Sequence, residues 1–120
     1  MSMVDRNKKT MLHAVDDATV VADQVIYSDI INTFDFIYAG LMIEVSGSGS
    51  GGLTVGMEVS PDQGTHWFDL VDNLSGSPAL PASFAFGGIA LPASWTRVKV
   101  TGASNLTNSY QVSVWFMGYR

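Results

Sequence analysis

His13 and His66 are the only imidazoles in the chain, and it contains no cysteine. A His-based metal centre would place two of them at a short spacing, H-x-x-x-H or H-x-H, and neither pattern occurs. His66 stands beside Trp67 at the start of a strand-like run, where an edge or surface position accounts for it. Serines are abundant, but none sits in a G-x-S-x-G elbow, the strained strand-to-helix turn that exposes a nucleophile. Carboxylates occur in close pairs, Asp16 with Asp17 and Asp69 with Asp72. Such pairs are the raw material of glycoside hydrolysis, yet turn-forming neighbours explain them without it. A loop calcium near Asp62, Asp69 or Asp72 is chemically open, although the EF-hand pattern is missing. The tract Gly47-Ser48-Gly49-Ser50-Gly51-Gly52 lacks the Lys-Ser or Lys-Thr of a phosphate loop. The residues therefore point to no catalytic group, no metal and no cofactor, and the chain is read as a non-enzyme.

Binding chemistry is better supplied. Trp67, Trp95 and Trp115, with Tyr38 and Met42, are large side chains suited to a subunit interface. Aromatic rings also stack on sugars, so a glycan contact is the alternative for the same five residues. Charge is scarce: Asp, Glu, Lys and Arg make up 14% of 120 residues, while 47% are hydrophobic. Either neighbours cover much of the surface, or Ser, Thr, Asn and Gly keep it soluble. The six cations are Arg6, Lys8, Lys9, Arg97, Lys99 and Arg120, and ten of the eleven acids lie between residues 10 and 96. Turn chemistry accounts for most of these acids; self-complementarity between copies is the sharper reading. Such sparse basic charge argues against nucleic-acid binding, and no apolar run approaches the roughly 18 residues of a membrane helix. The polar, basic start reads as neither a secretory signal nor a folded unit.

The elements that must position these residues follow a period of two. Ile37, Ala39, Leu41, Ile43 and Val45 alternate with Tyr38, Gly40, Met42, Glu44 and Ser46, and either face could serve the core. Leu53, Val55, Met57 and Val59 repeat the pattern, so the Gly-Ser tract predicts a long hairpin with a flexible tip. Pro61-Asp62-Gln63-Gly64 predicts a turn into a third strand over 65–71, completing a meander. A long loop is expected over 73–82, then strands over 83–86, 95–101 and 109–117. Upstream, strands over 10–15 and 19–27 are expected on either side of Asp16-Asp17, with a short helical turn near 30–33. About eight antiparallel strands suit a β-sandwich or jelly roll: one domain over 10–120, preceded by a flexible basic arm over 1–9.

The run Val59-Ser60-Pro61-Asp62-Gln63-Gly64-Thr65-His66-Trp67-Phe68-Asp69-Leu70 resembles a V-S, D-x-G-T, W-[FY]-D-L pattern of small structural proteins in tailed-phage virions. Arg97-Val98-Lys99-Val100-Thr101 and Tyr110-Gln111-Val112-Ser113-Val114 are similar to later strands of the same proteins. The resemblance covers about half the chain and implies a β-sandwich virion component of the decoration, cement or head-fibre kind. The expected function is a capsid decoration protein, made in the host cytoplasm and seated on the capsid surface. Expected partners are other copies of itself, with a trimer favoured, and the major capsid protein, reached through Arg6, Lys8 and Lys9. A glycan-binding module is the alternative.

Overall fold

The computed structural model describes residues 10–120. The period-two alternation becomes nine strands: β1 (Thr10–Val20), β2 (Val25–Tyr27), β3 (Ile31–Asn32), β4 (Tyr38–Gly47), β5 (Leu53–Ser60), β6 (Phe68–Gly76), β7 (Ala82–Ala90), β8 (Trp95–Gly102) and β9 (Tyr110–Tyr119). They form two antiparallel sheets, ordered β1-β9-β4-β7 and β2-β8-β5-β6, with β3 continuing the β2 edge along β8. The described residues contain no helix.

The pairs β5·β6, β4·β7, β2/β3·β8 and β1·β9 nest inside one another like a single long hairpin. Pairing of β4 with β9 and of β5 with β8 rolls that hairpin up. The chain consequently changes sheet at every link between sheets' strands except β2–β3 and β5–β6, the wrapping of a jelly roll. One core lies between the layers. Leu41, Ile43, Val45, Val112, Val114 and Phe116 face it from the first sheet, and Leu53, Val55, Met57, Val98 and Val100 from the second; each is at most 1% exposed. Burial of each such side chain contributes about 1.5–3 kcal/mol, which makes the inner register hard to slip.

The all-β sandwich matches the sequence expectation, but the central hairpin does not. β4 and β5 lie in different sheets, so the Gly-Ser tract is a crossing and the meander reduces to the β5–β6 hairpin. The crossing is pinned to the β8–β9 connection. Ser48 and Ser50 N–H donate to the carbonyls of Ser109 and Thr107, and Ala103 N–H donates to Gly52. Gly52 N–H donates to Asn105 Oδ1 at 2.9 Å, and Tyr110 Oη–H donates to the Gly51 carbonyl at 2.7 Å. Gly51 has φ +109°, and a Cβ there would lie 2.5 Å from the Asn105 carbonyl oxygen. Glycine is required by packing, not by a mobile tip.

Smaller differences have local causes. The expected break at Asp16-Asp17 is a pair of register shifts within one strand, with Asp17 at φ 47° and its N–H bonded to Ser113 Oγ. Residues 21–24 then carry the chain to the other sheet, separating β2 from β1. The expected helical turn is β3, whose Ile31 is buried opposite Thr96. Residues 65–67 belong to the turn, so β6 starts later and the loop after it is shorter than expected. β7 continues through Gly87-Gly88 because a register shift against β4 absorbs them.

Candidate functional site

With the core settled, the outward positions of the two sheets can be compared. On the first sheet, Met42 of β4 lies between Trp115 of β9 and Ala85 of β7, and Tyr38 lies opposite Tyr119. The His13 ring of β1 stacks parallel on Trp115, with centroids 4.4 Å apart and planes 5° from parallel. Tyr38 and Tyr119 rings are 5.9 Å apart. Met11, Met42, Glu44, Ser83, Ala85 and Trp115 surround an open depression of about 410 Å³. Met11 and Met42 remain 51% and 39% exposed. Glu44 is the only charged residue among the outward positions of β4, β7 and β9, and no cation pairs with it among the described residues. A face this poor in charge, with flexible Met chains beside rigid rings, suits partner contact better than solvent.

The second sheet presents the opposite character. Arg97 Nε donates to Glu58 Oε1 at 2.7 Å, and Lys99 Nζ lies 3.6 Å from Glu58 Oε2 and 3.8 Å from Asp69. The Arg97 guanidinium also covers the rings of Tyr27 and Trp67, 3.7 and 4.2 Å from their centroids. Glu58 is 7% exposed, so its charge is satisfied within the sheet. Trp95 lies on the same side, opposite Ser60. Beside this network, Thr54, Asp69, Asp72, Lys99 and Thr101 line a smaller depression of about 160 Å³.

The β5–β6 turn carries a third polar group. Ser60 Oγ–H donates to Asp62 Oδ1 and accepts from Gly64 N–H, both at 2.8 Å. Asp62 Oδ1 also accepts from His66 N–H at 2.8 Å, and Asp62 Oδ2 pairs with His66 Nδ1. The His66 side chain and then its backbone N–H hold the Asp62 carboxyl down to about 2. Asp62 thus organises its own turn and stands apart from Asp69 and Asp72. Among the described residues, no three His, Asp or Glu side chains gather as a metal-holding group.

The five aromatic and Met candidates therefore divide. Tyr38, Met42 and Trp115 converge on the first sheet, while Trp67 and Trp95 lie on the outer side of the second, so the three tryptophans make no common platform. Arg6, Lys8 and Lys9 lie outside the described residues. Met117 and Tyr119, which alternate with Trp115, complete the apolar face and were legible by the same period. Met11 and His13 were not, because the bulges in β1 break its alternation. The Glu58–Arg97 pairing depends on the β5–β8 register, which no local pattern reveals.

No protein-family model matches the sequence, and no curated protein matches it. Solved structures do resemble its fold. A chain from the structure of the infectious bursal disease virus Gx strain superposes with a TM-score of 0.58 at 13% identity, over 91% of this chain and 31% of the viral one. A chain from the T13 particle of the same virus gives 0.55 at 11% identity, over 92% and 31%. A chain of the Bacillus endospore appendages, described as a family of disulfide-linked pili, gives 0.53 at 16% identity, over 92% of this chain and 88% of that one. This chain therefore spans about a third of the two viral chains and most of the pilus chain. At these identities the likeness is one of fold. The 120 residues contain no cysteine, so the covalent link named for the pili has no counterpart within them.

Proposed function

We propose that this protein is a structural component of a virion, a decoration or cement protein that binds the assembled shell as a homo-oligomer and stabilises it. The observation that carries this reading is the apolar depression on the outer side of β4, β7 and β9, centred on Met42 and Trp115. The jelly-roll scaffold shared with chains of viral particles supports it. The partner is the major capsid protein, and the place is the outer capsid surface. The mechanism involves no bond chemistry. A protein that binds only the intact shell adds its binding free energy to the work of opening that shell. Burying Met42 and the rings of Trp115 and Tyr38 supplies the contact, while exposed charge elsewhere keeps the free protein soluble. Purified protein added back to stripped native shells should raise their disruption temperature, and Met42→Lys should abolish the gain while remaining folded. Full shell occupancy by that variant would overturn the assignment of the face.

The second sheet favours one other reading. The same face that carries the Tyr27 and Trp67 rings on Arg97 also holds a depression lined by Thr54, Asp69, Asp72, Lys99 and Thr101, and such rings and hydrogen-bonding side chains suit a glycan. Glycan-array binding lost in Trp67→Ala would establish it.

A further inference from the structure

We propose that two copies of this protein join edge to edge through β7, as an antiparallel pair about a two-fold axis at Phe84, which merges their four-stranded first sheets into one of eight strands. This deepens the proposed function by naming the contact between copies, and it makes the homo-oligomer a dimer in place of the expected trimer.

The open edges of the two sheets differ in how they are guarded. A free strand edge is a template for another strand, and charge, bulges or brevity normally blunt it. β1 carries Asp16 and Asp17 and two register shifts. β6 carries Asp69 and Asp72, also with two register shifts. β2 and β3 are three and two residues long, with Asp29 between them. By contrast, β7 pairs only with β4 among the described residues, and its nine residues hold no charge. The register shift at Gly87-Gly88 confines the unguarded part to residues 82–86.

Register decides which backbone groups of β7 stay open. Ser50 and Thr107 exchange N–H···O=C bonds, and Ser48 N–H donates to the Ser109 carbonyl, all in register with the β4–β9 pairs. Hydrogen-bonded pairs alternate, so Ser46, Glu44 and Met42 turn their backbone groups to β9, while Val45, Ile43 and Leu41 turn theirs to β7. The partners of the latter three, Ala82, Phe84 and Phe86, bond inward to β4. Ser83 and Ala85 therefore point their N–H and C=O groups away from the sheet. About an axis at Phe84, Ser83 of each copy meets Ala85 of the other, and each such pair exchanges both bonds. The two Phe84 rings, half-buried in a single copy, become direct cross-strand neighbours. A second copy is the fitting occupant because it brings an equally uncharged strand with small outward side chains. Self-pairing of β1 or β6 would instead bring their Asp residues together. Glu44 lies one strand in from the edge, and the two β4 strands stand about 14 Å apart, beyond the Debye length at physiological salt, so these carboxylates do not oppose the pairing.

Sedimentation velocity of the full chain tests this directly. So short a joint is far smaller than a standard interface, so the mass should move from one copy to two as concentration rises through about 0.1 mM. Over the same range the Ser83 and Ala85 amides should exchange more slowly with solvent, while the β1 and β6 edges do not change. Ala85→Pro removes an outward N–H and leaves the β4 ladder intact, and Ser83→Lys sets two cations diagonally across the joint. Each should weaken dimerisation at least about tenfold while near-ultraviolet circular dichroism stays native. Should Ala85→Pro fail to fold, Ser83→Lys alone decides. A single copy persisting at about 1 mM would overturn the proposal. So would dimerisation kept in the edge variants and lost in Met42→Lys, which would assign the contact between copies to the apolar face. The assay needs no shell, so a failure of shell binding and a failure of this pairing are separately visible.

Discussion

Asp62 holds the β5–β6 turn through its contacts with Ser60 and His66, and its carboxyl is held down to about 2. An unfolded Asp titrates near 3.9. A depressed folded value means its stabilising contribution is complete above the unfolded value and disappears as pH falls through the folded one. The Asp62 side-chain carboxyl resonance should therefore titrate with a midpoint near 2, in the same acid window where turn amide signals begin to move. A midpoint near 4 would contradict the His66 contact. Glu58 makes a different prediction, because it is buried between two cations. Glu58→Ala leaves Arg97 and Lys99 without their shared partner and should cost about 2–3 kcal/mol in urea unfolding, with Glu58→Gln costing less. No effect would mean that water compensates both cations fully.

Among the elements, the crossing from β4 to β5 is the most exacting. A flexible hairpin tip would accept alanine at Gly51 with little change. Here the left-handed φ and the Asn105 carbonyl at 2.5 Å from a Cβ oppose it. Gly51→Ala should lower stability by about 2 kcal/mol or more in thermal or denaturant unfolding, with Ser46→Ala, at an exposed position, as a near-neutral control. The same element shows what a sequence can convey. Alternation in Leu41, Ile43 and Val45, and again in Leu53, Val55 and Met57, marks two strands and their buried faces. It cannot say whether those faces lie side by side or opposite each other, since both arrangements put the same residues in the dark. A glycine tract between two such runs suits either connection. β1 was obscured for another reason, since its register shifts between His13 and Val15 and between Val15 and Ala18 break the period that would have tied Met11 and His13 to Trp115. By contrast, β8 and β9 keep strict alternation, and their extents and inner faces were legible nearly residue for residue.

At the scale of the whole molecule, the two outer faces differ in kind. One is apolar around Met42 and Trp115, and the other pairs its charges within itself around Glu58 and Arg97. Attachment through the first should lose little with added salt, because screening weakens exposed ion pairs and leaves apolar burial intact. Occupancy on shells, measured by sedimentation at low and high ionic strength, should stay constant or rise. A steep fall would move the contact to the charged residues. On the proposed role, the difference between the faces also limits growth. A tile with adhesive on a single side covers a surface one layer deep, since the back it turns outward offers the next tile nothing to hold.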